Sequence, residues 1–475
     1  MLKNMTFNLT RKSWIYLLDG RRKPTFASLR RNLVFVRGRP GALLESTDVD
    51  PLPIEQPIGF IVHNAEHELQ IIDELKRWLI TKEPVPLQFD DEPGRTYFAV
   101  VQNSIEDFER MVSLRQGTIQ FLCPDPYAYG EERHAVITSD ASIVHNNGIE
   151  EADPIFELEV VHHATFALIQ NQDEEYQMVG DPPDVETQPF LKEELIFHST
   201  MSTTNGWTSG NQVDNGSVEG SMISNGNRFL VQSFGNESEA KWHGPALKTS
   251  LSQTLQDFRI DALIENMNGV EEVGKVEIYL LDVNSVIIGR ITLKDAWQDF
   301  RRNRGEAKAG GANGHYLLDQ NHEGAWNDFK GMLRIGRIGN QWVSYIAKIR
   351  PDGTHHARET RMFTDTANRY MDRVAQIQVH ISKFGGFKHG QMAIDDLKVW
   401  KINQPQNHHQ QPYLLYPGDI LTFDHANDEI LLNGESRPDL KHFGSSYFKL
   451  KPGKNTLIVQ PSDTFTPRLK YRERF

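Results

Sequence analysis

Six of the eight tryptophans, Trp207, Trp242, Trp297, Trp326, Trp342 and Trp400, fall between Leu195 and Trp400, and only Trp14 and Trp78 lie outside that stretch. An indole face packs against the CH face of a pyranose, while Asn, Asp, Gln and His satisfy its hydroxyls, so this enrichment points to sugar binding. Trp242 and Trp326 sit in polar, turn-like surroundings and, with Trp207 and His243, are the candidate carbohydrate-binding residues. Trp400 alternates with Leu397 and Val399 and reads as packing, the commoner fate of a tryptophan on a strand.

Other chemistries are less well supplied. A glycosidase needs two carboxylates flanking one bond, commonly at alternating strand positions. The stretch Lys275–Asp282 offers Glu277, but Tyr279 and Leu281 take the same-face positions. Neither His-Glu-x-x-His, Gly-x-Ser-x-Gly nor a phosphate loop occurs, so no catalytic residue is assigned and no enzyme is expected. The pairs His162-His163, His355-His356 and His408-His409 would point to opposite faces of a strand and cannot share one ion. Asp395 and Asp396, with Asp214-Asn215 and Asp282, are oxygen donors for a structural Ca²⁺, but no Asp-rich loop of defined spacing accompanies them. No other cofactor is implied. Cys123 is the single cysteine, which excludes an intrachain disulfide and reads as a small buried hydrophobe.

Short strands must position these residues. The first part alternates Phe7–Thr10, Trp14–Leu18, Leu33–Val36 and Ile58–Val62 with Gly and Pro signals. One helix interrupts them: Asn64 caps residues 65–81, with Leu69, Ile72, Leu75 and Leu79 as the apolar face, widened by Ile71 and Trp78. Strands resume at Pro86–Phe89, Thr96–Val101 and Gly117–Leu122, which makes an α+β unit. From Ala141 to Asp184 the strands are too few for a domain, and similar ones return after Tyr413, with Asn433-Gly434 and Pro452-Gly453 supplying tight turns. Two Pro-containing joints, Asp181–Pro189 and Gln404–Pro412, bound the intervening strands, whose number and Gly-rich turns indicate a β-sandwich.

The chain has 475 residues, enough for two to four domains, and no apolar run approaches the roughly 18 residues of a membrane span. Its N-terminus lacks the apolar core of a secretory signal, so folding in the cytoplasm is expected. A net charge of −13 argues against nucleic acid. The local excess of Arg21, Arg22, Lys23, Arg30, Arg31, Arg37 and Arg39 reads as a solvated face or a subunit contact.

The segment Phe121-Leu122-Cys123-Pro124-Asp125-Pro126-Tyr127-Ala128-Tyr129-Gly130 resembles the junction in siphophage distal tail proteins where a strand ends in a Pro-Asp-Pro-Tyr turn. Asn146-Asn147-Gly148, Ala152-Asp153-Pro154, Tyr416-Pro417-Gly418-Asp419, Leu432-Asn433-Gly434 and Leu450–Asn455 are similar to that family's second domain, in the same order. The resemblance covers roughly the first 185 and the last 65 residues. It implies a mainly β chain with one N-terminal helix, divided as follows. Residues 1–135 would form an α+β ring-forming domain, and 136–185 with 412–475 a galectin-like β-sandwich. Residues 186–411 would be an inserted jelly roll of the laminin-G or concanavalin kind, similar to carbohydrate-binding modules on Gly206-Trp207-Thr208, Trp242-His243-Gly244-Pro245 and Ala393–Trp400. The implied function is a structural adaptor of the virion tail tip or baseplate. It would be a homohexameric ring joining the tail tube protein to a tail-associated hub, lysin or fibre protein and to a receptor-binding protein, with the insert holding host cell-wall polysaccharide. A free-standing lectin and, behind it, a wall-degrading glycosidase are the alternatives.

Overall fold

A computed structural model describes residues 3–102, 109–111, 113–138, 141–183, 186–407 and 409–475. His408 of the last histidine pair and Asp184 at the first joint lie outside the described residues. Among the described residues the chain is mainly β, with one α-helix, Ala65–Leu79.

In the N-terminal part, strands Leu52–Ile61 and Leu114–Cys123 pair antiparallel along their whole length and form the spine of an eight-stranded sheet. The helix packs on this sheet through Ile71, Leu75, Trp78 and Leu79, and the Trp78 indole donates to the Phe7 carbonyl at 2.9 Å. Asn64 caps the helix by accepting from the His67 amide, as its sequence position implies. Four of the six expected apolar residues, Ile71, Leu75, Trp78 and Leu79, are buried as read, whereas Leu69 is exposed and Ile72 half-buried. Strands Leu29–Val34 and Leu43–Val49 pair only with each other, as a hairpin that leaves Leu29, Leu33, Phe35 and Leu44 exposed.

The Pro-Asp-Pro-Tyr turn joins this part to the next. Asp125 accepts from the Tyr127 amide and the Tyr129 hydroxyl, and residues 128–129 pair with Thr96 on one side and Phe475 on the other. Beyond it lie two sheets facing one apolar cluster that includes Phe156, Leu158, Ile169, Leu421, Phe423, Leu457 and Leu469. In the six-stranded sheet Ile155–Val160 lies between Phe465–Arg474 and Ile420–Asp424. In the four-stranded sheet Gly453–Gln460 lies between Ser142–Asn146 and Phe166–Asn171. Strands from far apart in the sequence thus share one core. The tight turns fall where the sequence puts them: Asn433 and Gly434 have φ of 53° and 78°, and Gly453 has 91°.

The intervening chain leaves and returns side by side. The Phe190 amide donates to the Gln411 carbonyl at 3.0 Å, and the Tyr413 amide donates back to Phe190 at 2.9 Å. Between these points an eight-stranded and a nine-stranded sheet enclose a second large core built on Phe229, Phe258, Ile278, Leu293, Trp326, Leu333, Trp342 and Ile381. The outer face of the eight-stranded sheet meets the smaller sandwich, where Arg334 pairs with Glu435 at 2.8 Å and the His355 amide donates to Gly434.

Candidate functional site

In the nine-stranded sheet of the insert, apolar residues face the core at every second position, which turns the alternate residues to the other side. Strand register sets these into ladders. His380, Glu277, Thr292 and Glu306 form one row, Gln378, Tyr279, Arg290 and Lys308 the next, and Ser382, Lys275, Lys294 and Arg304 a third. These three rows make the middle of this face polar.

Ion pairs knit this face together. Arg290 reaches Glu277 at 3.4 Å, Glu306 at 3.0 Å and Asp214 at 3.0 Å, and Lys275 and His380 each meet Glu277 at 2.8 Å. Burial pushes the Glu277 carboxyl upward, but Lys275, His380 and Arg290 outweigh it and hold the group well below the usual carboxylate range. Burial likewise lowers His380 against the pull of Glu277. Glu277 is thus a fixed anion, the opposite of a carboxyl poised to deliver a proton.

At one margin this face opens to solvent. Trp297, 43% exposed, stacks on Phe300 with 5.4 Å between ring centres and 17° between planes. It borders a recess of about 210 Å³ together with Lys294, Arg304, Glu306 and Asp319. The loop that presents the two rings is held from beneath by Asp295, 1% exposed, which accepts from the Trp297 amide at 3.0 Å, the Arg302 amide at 2.9 Å and the Asn268 side chain at 2.6 Å. Asn303, fully buried, ties Asn266, Asn268 and the Trp326 carbonyl to the same anchor. An open aromatic surface on a rigid base, beside paired carboxylates and cations, has the make-up of a sugar contact.

The residues singled out in the sequence lie elsewhere. Trp326 is fully buried, with its indole N–H donating to the Ala357 carbonyl at 2.6 Å. Trp207 packs edge-on against Phe197 and Phe229 at the border of the core. Trp242 is 9% exposed against Phe384, and buried His243 sets its two ring nitrogens against the carbonyls of Phe234 and Gly385. None of these is an open contact surface. Trp242 begins the short paired strand Trp242–Gly244 and Trp326 sits on a turn folded back on the core, and local composition does not distinguish such segments from exposed loops. Of the candidate calcium donors, Asp395 pairs with Arg228 at 2.9 Å and Asp396 with His198 at 2.7 Å. Among the described residues no three His, Cys, Asp or Glu side chains converge as a metal set. The signal for Trp297 was its setting, Asp295-Ala296-Trp297-Gln298-Asp299-Phe300-Arg301-Arg302, with two aromatics three apart in a run of polar residues.

Comparison with known proteins adds the following. Residues 5–123 match the family model of the phage tail protein RIFT-related domain, and residues 392–475 that of the siphovirus-type tail component C-terminal domain. The distal tail protein of Bacillus phage SPP1 is 26% identical over 120 residues, or 25% of this chain and 47% of that protein. The chain thus spans about half the length of the curated relative it matches. The crystal structure of that relative superposes on 38% of this chain and 75% of its own at a TM-score of 0.35 and 20% identity. The CBM2 module of the evolved distal tail protein of Lactobacillus casei BL23 phage J-1 covers 46% of this chain and 99% of the module, at a TM-score of 0.38 and 16% identity. The catalytic domain of an endo-1,3-β-glucanase from Thermotoga petrophila RKU-1 covers 45% of this chain and all of that domain, at 0.30 and 12%.

Proposed function

We propose that this chain, a siphovirus distal tail protein by the two domains matched at its ends, is a tail-tip hub adaptor whose insert holds wall polysaccharide without cutting it. The observation that carries the adaptor reading is the order of those domains, one on each side of most of the insert. The division we propose is 1–135, then 136–185 with 412–475, then 186–411. The ring assembles as a homohexamer between the tail tube protein and the adhesion apparatus, and it is built in the host cytoplasm. The isolated, apolar hairpin formed by Leu29–Val34 and Leu43–Val49 supports self-association, because a two-stranded ribbon with exposed Leu33, Phe35 and Leu44 is marginal in water alone.

For the insert, the supporting observation is the Trp297–Phe300 surface. Repetition around a ring lets each site be shallow, since linked sites gain roughly 10² to 10⁴ in avidity. Retention without cleavage accords with Glu277, locked among Lys275, Arg290 and His380. Negative-stain imaging of the purified protein tests the adaptor: six-fold rings are expected, and a strictly monomeric population at high concentration overturns it. A glycan array and labelling of a broad Gram-positive panel test the insert. Intact rings that label nothing remove the glycan reading, and release of soluble sugar revives the enzyme.

A further inference from the structure

The polar sheet face is buried although it is polar: Lys275, Glu277, Tyr279, Arg290, Thr292 and Lys308 are each 6% exposed or less. A segment of the insert, residues 210–219, lies across it like a strap. The Asp214 carboxylate accepts through one oxygen from both Arg290 (3.0 Å) and Lys308 (3.3 Å), and the Asp214 amide donates to the Tyr279 hydroxyl. Next to it the Asn215 carbonyl accepts from Lys275 at 3.2 Å, and the Gln212 carbonyl from Gln378 at 2.5 Å.

We propose that the strap is an internal stand-in for an acidic glycan, and that a saccharide or polyol chain carrying carboxylate or phosphate groups displaces Asp214 from Arg290 and Lys308 and occupies the face. The inference rests on the reading of the insert as a glycan binder and names the class of glycan. Three observations carry it. First, Lys275, Arg290, Lys294, Arg304 and Lys308 are five cations against the three carboxylates Glu277, Glu306 and Asp319, an excess of two that Asp214 only halves. A sheet face with that balance, already fitted with two cations on one oxygen, selects an anion.

Second, residues 211–216 are held by side chains of the sheet, between backbone pairing that ends with the Gly210 amide on the Ala246 carbonyl and begins again at Ser217–Val218. The strap also lines an open recess of about 680 Å³ together with Val286, Ile287 and Ala312, so it is not packed in on that side. Third, the strap packs against the backbone of Trp242. Gly216, at φ 138°, lies so close that an added Cβ would come within 2.9 Å of the Trp242 Cβ. Lifting the strap therefore frees Lys275 from the Asn215 carbonyl beside the Trp242 indole, whose ring centre lies 5.2 Å from the ammonium. An aromatic wall beside an anion-binding pair would then be available on a face that runs on to Trp297.

The test uses the full-length protein with three probes: an oligogalacturonate, a glycerol-phosphate oligomer and a neutral dextran oligomer. Asp214→Asn removes the internal anion. It should strengthen binding of one acidic probe about tenfold by calorimetry and leave the neutral probe unchanged, and which acidic probe responds tells a carboxylate ligand from a phosphate one. In the unaltered protein, a saturating acidic probe should speed hydrogen exchange of the Asp214 amide, a measurement that stands even where the variant folds poorly. Unchanged affinity for both acidic probes with unchanged exchange overturns the strap proposal, as does failure of every probe to bind either form. Trp297→Ala separates the underlying reading. If acidic binding to Asp214→Asn survives that replacement in full, the Trp297 surface falls while the strap stands.

Discussion

Trp297 and Trp326 lie on neighbouring turns of the insert, and replacing each by alanine should have opposite effects. Trp297→Ala removes an open ring, so retention on glycan should fall about tenfold while stability shifts by no more than ~0.5 kcal/mol. Trp326→Ala empties a fully buried site and strands a backbone carbonyl, so thermal or urea unfolding should show a loss of about 3–5 kcal/mol. The distinction was not legible in the sequence, because both indoles have polar neighbours and only the fold decides which turn closes on the core. A pH effect belongs to this scale as well. Burial lowers His425 from 6.5 to about 4, and the Phe448 amide donates to its Nδ1 at 2.9 Å. The unfolded chain takes up a proton between those values that the native chain refuses. Stability is therefore full above pH 6.5 and declines as pH falls to about 4, by about 3 kcal/mol for this group. Urea melts at pH 7 and pH 4.5 should show the decline, and His425→Gln should flatten it.

Among elements, the alternation in Lys275-Val276-Glu277-Ile278-Tyr279-Leu280 told which residues share a face, and the structure keeps that alternation. It could not tell that the polar side would be roofed over, since the roof is a loop with no periodicity of its own. The helix shows a similar limit. Its cap was readable at Asn64 and most of its buried stripe at Ile71, Leu75, Trp78 and Leu79, whereas the exposure of Leu69 was not, because helical spacing alone does not say how far the sheet reaches. The smaller sandwich offers a direct test. Its strands come from two distant stretches, and Phe190, Gln411 and Tyr413 bring the ends of the insert together. Removing residues 186–411 and joining the ends with a short Gly/Ser linker should leave a soluble protein with one cooperative melt for that unit. Aggregation of every linker length would show that the insert is needed for the sandwich to fold.

For the whole molecule, the hairpin of Leu29–Val34 and Leu43–Val49 is where assembly should be most sensitive. Leu33→Glu combined with Phe35→Glu places charge on the exposed apolar ribbon without touching a core. Light scattering should then report monomers with an unchanged melting temperature, and rings that persist would move the subunit contact elsewhere. The sequence order of turns at Asp125, Asn433 and Gly453 already indicated two flanking units around an insertion, because turn chemistry is local. Which strands pair across the gap is a long-range matter that no local pattern encodes. The paired backbone at Phe190 and Tyr413 has one more implication. Because the chain departs and returns at neighbouring points, everything between them is a cassette. On the function proposed above, its loss, gain or exchange in one recombination event would change attachment range and leave the geometry of the flanking units as inherited.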